Sequence, residues 1–335
     1  MTFKSFRLAL LLLAAAPAPA FAWSNPGHRM IGQEAARALP PALPAFLRSP
    51  AAIEAIGELS REPDRSKASG KVHGSNLDPA HFVDYEEDGR ILGGPRLDAL
   101  PPTRAAYETA LRAAGQDSWK AGYLPYAIIE MYQQLVTDMG YWRMGVAAEG
   151  REKNKARRTW IRADRLRREH QMLGTIGHLS HYVGDGSQPL HVSAHYNGWG
   201  DYPNPNGYST AKVHAPFEDV FAADHVTPAM LRAGMAPLKT VEGPIEAHVA
   251  AYLLVAGRQV VPFYELEKAG AFAPRDPRGV AFATTRLAAG ASELRDLITQ
   301  AWADSAKVKL GWPPASVSEV IAGKVDPYPS LFSGR

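Results

Sequence analysis

The sequence predicts an all-α protein that folds as a single compact domain of many helices joined by long irregular loops. Three observations support this prediction. Apolar residues recur at helical spacing in most segments, whereas the alternation typical of strands is nearly missing. The chain of 335 residues, 46% of them hydrophobic, is long enough to bury a large core. It contains no internal repeat and no low-complexity linker at which it would divide.

The N-terminal segment, residues 1–22, has the layout of a secretory signal peptide. Basic residues precede an apolar run that is too short to span a bilayer, and small residues end at Ala22. A buried N-terminal helix is the alternative, but Pro17 and Pro19 would interrupt it. We therefore expect cleavage after Ala22, export to the periplasm or the medium, and a mature domain over residues 23–335.

Helical periodicity divides the mature chain into predicted elements. The first helix spans Gly27–Leu39 and is ended by a cluster of prolines, and the second covers Ala51–Ser60. The segment Glu62–Pro102 is rich in Gly, Pro, Asp and His with little periodicity, which predicts a long ordered loop of a kind that is usually functional. Further helices are predicted over Ala105–Ala114, Tyr123–Tyr141, Ala156–Tyr182, Glu218–Ala233, Pro244–Leu266 and Gly279–Lys307.

Charge and cysteine content limit the function classes. Removal of Lys4 and Arg7 with the signal peptide leaves 35 basic against 34 acidic residues, so net charge alone favours no polyanionic partner. The basic run from Arg151 to Arg168 is typical of a solvated helix face or of nucleic-acid binding, and interspersed acidic residues favour the solvated face. The absence of cysteine excludes disulfides and thiolate metal sites, so any metal must bind nitrogen and oxygen.

A pair of potential ligands stands near the end of one predicted helix. His181 and Asp185 are four residues apart, so both side chains leave the same helix face and can bind one ion. Gly186 is expected to end that helix, and Pro189 to fix a turn that brings His191 close. The spacing therefore predicts that His191 lies close to this pair but faces in a different direction.

Further donors recur through the chain and enlarge this set. They are Trp23, whose α-amine would be freed by cleavage and forms a bidentate pair with its own carbonyl, and His28, Asp64, His81, His214 and Glu218. With the first three they make five imidazoles, three carboxylates and one terminal amine, a set that suits zinc. Because this set exceeds the needs of one ion, it predicts a cluster.

The order of these residues resembles the superfamily of zinc-dependent bacterial phospholipases C and single-strand-specific nucleases of the S-one/P-one type. The motifs that carry the resemblance are W-x4-H, D-x-x-K, H-F-x-D, H-x-x-x-D-x5-H and H-x-x-x-E, and they run from Trp23 to Glu218. The resemblance implies an all-α phosphodiester hydrolase built around three zinc ions.

Carried over residue by residue, the resemblance implies a ligand set for each ion. The first ion would be held by Asp64, His81, His181 and Asp185, the second by the Trp23 amine and carbonyl, His28 and Asp185, and the third by His191, His214 and Glu218. Water between the bridged pair would attack phosphorus, and the third ion would stabilise the leaving alkoxide. Asp84 resembles the carboxylate that orients this water, and Lys67 resembles a basic residue that contacts the phosphate.

The two branches of the superfamily differ in substrate, and this chain has features of both. The 23-residue interval from His191 to His214, and Lys67, resemble the nucleases. The final H-A-P-F-E, which ends at Glu218, resembles the phospholipases. The loop after His191 carries the candidate substrate contacts His195, Tyr196, Trp199 and Asp201. Its rings would stack on bases, line a lipid headgroup pocket or simply cover the metals.

We expect a secreted, monomeric zinc hydrolase with no stable protein partner, whose substrate is single-stranded DNA and RNA. A phospholipase C acting on phospholipid is the alternative. A non-catalytic exported protein that keeps its zinc ligands for folding is the second alternative. The presence of Asp84 and Lys67, to which the resemblance assigns catalytic rather than ligating roles, favours an enzyme.

Overall fold

The computed structural model describes residues 23–67 and 70–332, and over these ranges it confirms the all-α prediction. Strands in these ranges are limited to β1 (Lys309–Leu310) and β2 (Ala315–Ser316), which pair antiparallel with Lys309 opposite Ser316. No helix in the same ranges is both long and apolar enough to cross a membrane. The predicted signal peptide, residues 1–22, lies outside the described residues.

The α-helices are joined by connections that range from a few residues to the long segments before Arg104 and before Ala223. They are α1 (Ser24–Arg37), α2 (Pro50–Leu59), α3 (Glu62–Lys67), α4 (Lys71–Leu77), α5 (Arg104–Ala113), α6 (Ser118–Ala121), α7 (Leu124–Arg151), α8 (Lys155–Ser187), α9 (Ala223–His225), α10 (Pro228–Gly234), α11 (Ile245–Gly257), α12 (Val260–Lys268), α13 (Pro277–Asp304), α14 (Val317–Ile321) and α15 (Tyr328–Phe332). Short 3₁₀ turns cover Ala45–Arg48, Asp78–His81, Leu97–Ala99 and Pro189–His191, and a π-helix covers Pro216–Ala222.

Capping residues explain where the helices begin. The Ser49 hydroxyl accepts a hydrogen bond from the Ala52 amide at 3.2 Å, and Pro50 occupies the first position of α2, where no amide donor is needed. The Asn154 side chain accepts from the Arg157 amide at 3.1 Å and begins α8. These starts lie within one residue of those that periodicity predicted.

Helix α8 lies at the centre of the core. It packs along α7, to which a three-residue connection joins it, and it also contacts α1, α2 and α13. Two glycines of α8 let its neighbours approach closely. A β-carbon at Gly177 would lie 2.6 Å from Leu59 Cβ, and one at Gly184 would lie 2.9 Å from His28 Nδ1. The close crossings bring α1 and α2 against the C-terminal half of α8, where His181 and Asp185 lie.

The segment predicted as a long loop contains more helix than periodicity indicated. Within residues 62–102 the chain forms α3, α4 and two 3₁₀ turns. These elements are too short to show an apolar repeat, because each spans two turns or fewer. The expectation of a long ordered loop was therefore wrong where these short helices and turns form.

Two long predicted helices are each divided in the structure. The helix predicted over Glu218–Ala233 is interrupted before α10, because Thr227 caps α10 and Pro228 follows it without an amide donor. The helix predicted over Pro244–Leu266 is broken between α11 and α12.

Helix α8 continues one residue beyond Gly186, at which the sequence predicted its end. It ends before Gln188, whose backbone is in the β conformation because the residue precedes a proline.

Candidate metal centre

The predicted ligands come from six short stretches that meet around the C-terminal end of α8. Helix α8 carries His181 and Asp185 on one face, and α1 and α3 contribute His28 and Asp64. The two 3₁₀ turns at Asp78–His81 and Pro189–His191 end in histidines, and the chain entering the π-helix supplies His214 and Glu218. All eight of these side chains are buried.

The first donor group consists of Asp64, His81 and His181, whose potential ligand atoms all lie within 4.8 Å of one another. His181 Nε2 and His81 Nδ1 are 2.8 Å apart, and Asp64 Oδ1 is 3.8 Å from each of them. His181 Nδ1 donates to the backbone carbonyl of Ser60 at 2.8 Å. That hydrogen bond fixes the proton on Nδ1 and leaves the Nε2 lone pair directed at the group.

The second donor group consists of His28, His181 and Asp185. The His28 ring stacks on His181 with centroids 3.9 Å apart, and its Nε2 lies 3.4 Å from Asp185 Oδ1. The other carboxylate oxygen, Oδ2, lies 3.1 Å from His81 Nδ1. The two oxygens of Asp185 therefore face donors of different groups, which is the arrangement of a bridging carboxylate.

Trp23 is fixed in the structure by its side chain. The indole is 1% exposed, its Nε1 donates to Ser187 Oγ at 2.9 Å, and its ring lies 5.7 Å from that of Phe217. The residue precedes α1 in a left-handed backbone conformation with φ of 35°. These contacts place the start of α1 beside the end of α8. Ligation by the Trp23 α-amine stays a prediction.

The third donor group consists of His191, His214 and Glu218. The two Nε2 atoms are 3.0 Å apart, and Glu218 Oε1 lies 3.5 Å from that of His191 and 3.0 Å from that of His214. Each imidazole donates through Nδ1 to a backbone carbonyl, His191 to His81 at 2.6 Å and His214 to Tyr196 at 2.9 Å. Both Nε2 lone pairs are therefore available to a cation.

Sequence reasoning missed Gln188, which supports the third group. Its side-chain amide is fully buried, donates to Glu218 Oε1 and accepts from the Leu190 amide at 2.6 Å. Because Glu218 Oε1 is held by this bond, the orientation of the carboxylate does not depend on a bound ion. The one sequence feature that marks Gln188 is its position directly before Pro189. A search for metal-ligand spacing does not find it, because an amide side chain is not among the donors sought.

The electrostatics of the donor groups suit a cation. Burial lowers the pKa of His81 and of His181 well below the usual range, and neighbouring positive groups act in the same direction. Burial, together with the charge of Asp64, raises the pKa of Asp185 well above its usual value. Burial also opposes ionisation of Glu218, but His214 and His191, which in their charged forms face Glu218 through Nε2, outweigh it and hold its pKa far below the usual range.

Buried carboxylate oxygens without hydrogen bonds test whether the donor groups fit a metal ion. Asp64 Oδ2, Asp185 Oδ1 and Glu218 Oε2 are buried and accept no hydrogen bond within the described residues. Buried carboxylate oxygens without partners are costly unless a proton or a cation compensates them. Together with the imidazole lone pairs, they form three donor groups able to hold metal ions, and nitrogen and oxygen donors of this kind fit zinc.

A cleft of about 650 Å³ opens over the donor groups. His81, His191 and His214 contribute to its lining, and the other side chains around it are mixed in chemistry. They comprise Lys67, Asp78, Phe82, Asp84, Leu92, Trp119, Lys120, Leu190, Ala194, Tyr196 and Tyr202. The first and third donor groups are thus reachable by a ligand of substantial size.

Both residues to which the resemblance assigns catalytic roles line this cleft. Lys67 Nζ forms an ion pair with Asp64 Oδ1 at 2.8 Å. Asp84 Oδ1 is buried and has no hydrogen-bond partner in the described part of the chain. Burial, with a contribution from Glu86, raises the pKa of Asp84 to about 7. A carboxyl group with this pKa can exchange a proton with water near neutral pH.

Of the four predicted substrate contacts, the structure places Tyr196 in the cleft wall, with 52% of its surface exposed. His195 is instead buried, stacks on Trp199 at 3.9 Å and contacts Glu87 through Nε2. Trp199 is 6% exposed and packs against other aromatic rings, because its loop folds inward. Asp201 is exposed and lies outside the residues that line the cleft.

Trp119 and Lys120 line the cleft although sequence reasoning overlooked them. They lie in α6, a four-residue helix that is too short to show a pattern. The sequence feature that could have marked them is an aromatic and a basic residue side by side between Asp117, which caps the helix, and Gly122, which ends it.

Neither known protein families nor curated proteins show a match to this chain. The donor groups and the cleft therefore carry the functional assignment.

Proposed function

We propose that this protein is a zinc-dependent phosphodiester hydrolase that cleaves single-stranded nucleic acid. The observation that carries the proposal is that donors of the first and third buried groups line one cleft, whose wall also contains Asp84 and Lys67. A purely structural metal site is closed and needs neither a cleft nor polar groups facing it. Donors beside an open cleft with a free carboxyl group favour catalysis.

The proposed ion-holding residues are those of the three donor groups, with the Trp23 α-amine as an additional ligand of the second. When bound, zinc ions supply Lewis acidity that polarises a phosphoryl group and makes water acidic near neutral pH. The buried Asp64 carboxylate matches this role. Within the described residues Lys67 is the one lysine or arginine that pairs with it, and its other close neighbours are the potential ligands His81 and His181.

The side chains of the cleft would orient the reactants. Asp84 Oδ1 accepts a hydrogen bond from the attacking water and can take its proton, since burial raises the pKa of Asp84 to about 7. Lys67 Nζ neutralises a non-bridging phosphate oxygen. The water oxygen forms a bond to phosphorus, the bond from phosphorus to the leaving oxygen breaks, and that oxygen receives a proton.

Exposed rings and cations in the cleft favour nucleic acid over phospholipid. Trp119 and Tyr196 present half-exposed rings that can stack on bases, and Lys67 and Lys120 supply positive charge for a polyanion. Phospholipase C activity is the second candidate, and the H-A-P-F-E sequence that ends at Glu218 is the feature that favours it. Both activities would operate outside the cytoplasm after removal of residues 1–22.

A paired assay tests the proposal. The chain beginning at Trp23, loaded with zinc, is incubated with denatured DNA and separately with phosphatidylcholine vesicles, each with and without a chelator. We expect chelator-sensitive release of nucleotides. Release of diacylglycerol alone would assign the protein to the phospholipase branch. Inactivity on both substrates, with zinc bound, would favour a non-catalytic zinc-stabilised protein.

A further inference from the structure

We propose that Trp119 and Lys120 form a subsite for the nucleotide that adjoins the scissile phosphate. In this subsite the Trp119 indole stacks on the base, and Lys120 Nζ binds the phosphate of the same nucleotide. The inference rests on the proposed function, since it assigns these residues to the substrate of the same cleft.

The exposure of the two side chains is the first observation. Trp119 lines the cleft with 50% of its surface exposed, although a buried indole is among the largest sources of apolar stabilisation. Lys120 is also exposed and has no ion-pair partner in the described ranges, whereas Lys67 in the same cleft is paired with Asp64. A ring and an unpaired cation thus stand side by side, facing the space in which a substrate would bind.

The rigid attachment of α6 is the second observation. The Asp117 carboxylate accepts from the Lys120 amide at 3.0 Å, and the Ala121 carbonyl accepts from the Asp84 amide at 2.9 Å. The Leu124 amide donates to the Phe82 carbonyl at 3.1 Å. The helix is therefore hydrogen-bonded directly to the segment 79–84, which carries His81 and Asp84.

Gly122 makes this attachment close. Its φ of 73° favours glycine, and a β-carbon there would lie 2.0 Å from the Phe82 carbonyl oxygen. The Tyr107 hydroxyl donates to the Gly122 carbonyl at 2.7 Å. The subsite is consequently held at a constant distance from the donor groups, and little ordering would be required when substrate binds.

The chemistry of the pair favours a nucleotide over a lipid headgroup. A base offers a flat π-face to Trp119, and its phosphate offers an anion to Lys120. A choline headgroup would bring its own positive charge beside Lys120 and Lys67, and like charges repel. The cleft volume of about 650 Å³ lies in the range of sites that bind whole organic ligands, so it has room for more than a phosphate group.

Substrates with and without a base test the stacking contact. Oligonucleotides of one sequence are prepared intact and with an abasic residue next to the cleaved bond. For the zinc-loaded protein we expect kcat/KM to be roughly tenfold higher, or more, for the intact substrate, as base stacking implies. In Trp119→Ala this ratio should fall towards one, and Trp119→Phe should restore part of it.

Salt dependence tests the phosphate contact. Lys120→Ala should weaken binding of intact and abasic oligonucleotides alike and reduce the slope of log affinity against log salt by roughly 0.7. Trp312→Ala and Lys324→Ala are matched controls, since both residues are exposed and lie outside the cleft lining. Both controls should leave activity and its salt dependence unchanged. Circular dichroism and thermal midpoints verify that each variant is folded.

The outcomes separate this inference from the proposed function. Cleavage of single-stranded DNA by the unchanged protein, with no effect of either variant on the abasic ratio or the salt slope, would overturn the subsite and leave the nuclease assignment standing. Failure of the unchanged protein both to cleave and, by fluorescence anisotropy, to bind an oligonucleotide would overturn both. Loss of phosphatidylcholine vesicle binding in Trp119→Ala, without loss of oligonucleotide binding, would make the indole a membrane contact instead.

Discussion

The Nδ1 atom of His191 lies 2.6 Å from the backbone carbonyl oxygen of His81, so a donor of the third group is oriented by the backbone of a donor of the first. A second hydrogen bond, from the Val83 amide to the His191 carbonyl at 2.9 Å, joins the same two segments. The spacing between the first and third groups is therefore set by protein hydrogen bonds. Side-chain substitutions at either histidine leave the accepting carbonyls in place.

Metal stoichiometry should respond differently to two carboxylate substitutions. Glu218→Gln removes a charged donor from the third group alone, whereas Asp185→Asn affects oxygens that face donors of two groups. By mass spectrometry of the native protein, we expect Glu218→Gln to lose about one ion per chain and Asp185→Asn about two. His170→Gln, at an exposed helix position outside the groups, is the control and should lose none. Equal losses in the two carboxylate variants would contradict the assigned grouping.

Chelation should destabilise the fold. Asp64 and Asp185 are both buried, and burial together with the charge of Asp64 raises the pKa of Asp185, which a bound cation would offset. A ligand present at a hundred times its dissociation constant stabilises a protein by about 2.7 kcal/mol. In scanning calorimetry we expect the unfolding midpoint to be lower in chelator than in excess zinc. The difference should shrink in Asp185→Asn, and an unchanged midpoint would mean that these donors hold no ion.

Asp84→Asn should reduce turnover without loss of metal. The substitution keeps the shape of the side chain but removes its ability to take a proton, and general-base catalysis is typically worth about 10²-fold or more. We expect kcat to fall by that order while zinc content is retained. Asp98→Asn, at an exposed position of the 3₁₀ turn Leu97–Ala99 and outside the cleft lining, serves as the matched control. Full activity with full zinc in Asp84→Asn would remove the proposed role of Asp84 as the general base.

The N-terminus should be sensitive to a single added residue. If the α-amine of Trp23 binds the second ion, a chain extended by one residue before Trp23 should lose about one ion per chain and much of its activity. Trp23→Phe keeps the amine but loses the bond from the indole to Ser187, so it should retain metal and lower the free energy of unfolding by on the order of 1–2 kcal/mol. Equal metal content in the extended and unextended chains would show that Trp23 acts through its ring alone.

The pair of His248 and Glu293 should make stability depend on pH. Their side chains meet at 2.6 Å, and the hydrogen bond with Glu293 raises the pKa of His248. The resulting stabilisation is complete below the unfolded pKa near 6.5 and is lost as the pH rises through the higher folded pKa. His248→Gln should therefore lower the urea midpoint more at about pH 5.5 than at about pH 9. A larger loss at about pH 9 than at about pH 5.5 would show that the neutral form of His248 makes the stabilising contact with Glu293.

Local spacing predicted the donors that lie on one helix, and tertiary contacts supplied the rest. The four-residue interval from His181 to Asp185 places that pair on one face of α8. His214 and Glu218 repeat the interval where the chain enters the π-helix. Asp64 and His81 have no such interval to the other donors. Their residue types made them candidates, and the resemblance assigned them to an ion. Gln188 could not be predicted, because its role depends on how closely Glu218 approaches in the fold.

The aromatic loop shows the same limit. Tyr196 and Trp199 are three residues apart in one loop, yet Tyr196 is half exposed and Trp199 is 6% exposed. Composition predicted rings near the cleft, but it does not distinguish a ring that faces substrate from one that packs on Tyr208 and Tyr264. The positions of the long helices were predictable because apolar periodicity is a local property.

The donor groups join parts of the chain that are far apart in sequence: the contact from His81 to Asp185 spans 104 residues, and that from His81 to His181 spans 100. An ion held across such contacts closes loops of that length, and closing a loop of about 100 residues restricts an unfolded chain by about 4.7 kcal/mol in the entropic description of crosslinks. Proteins outside the cytoplasm commonly obtain this restriction from disulfides, but this chain has no cysteine. Its crosslinks would be ionic and reversible, so its resistance to unfolding would follow the supply of metal rather than the redox state of its surroundings.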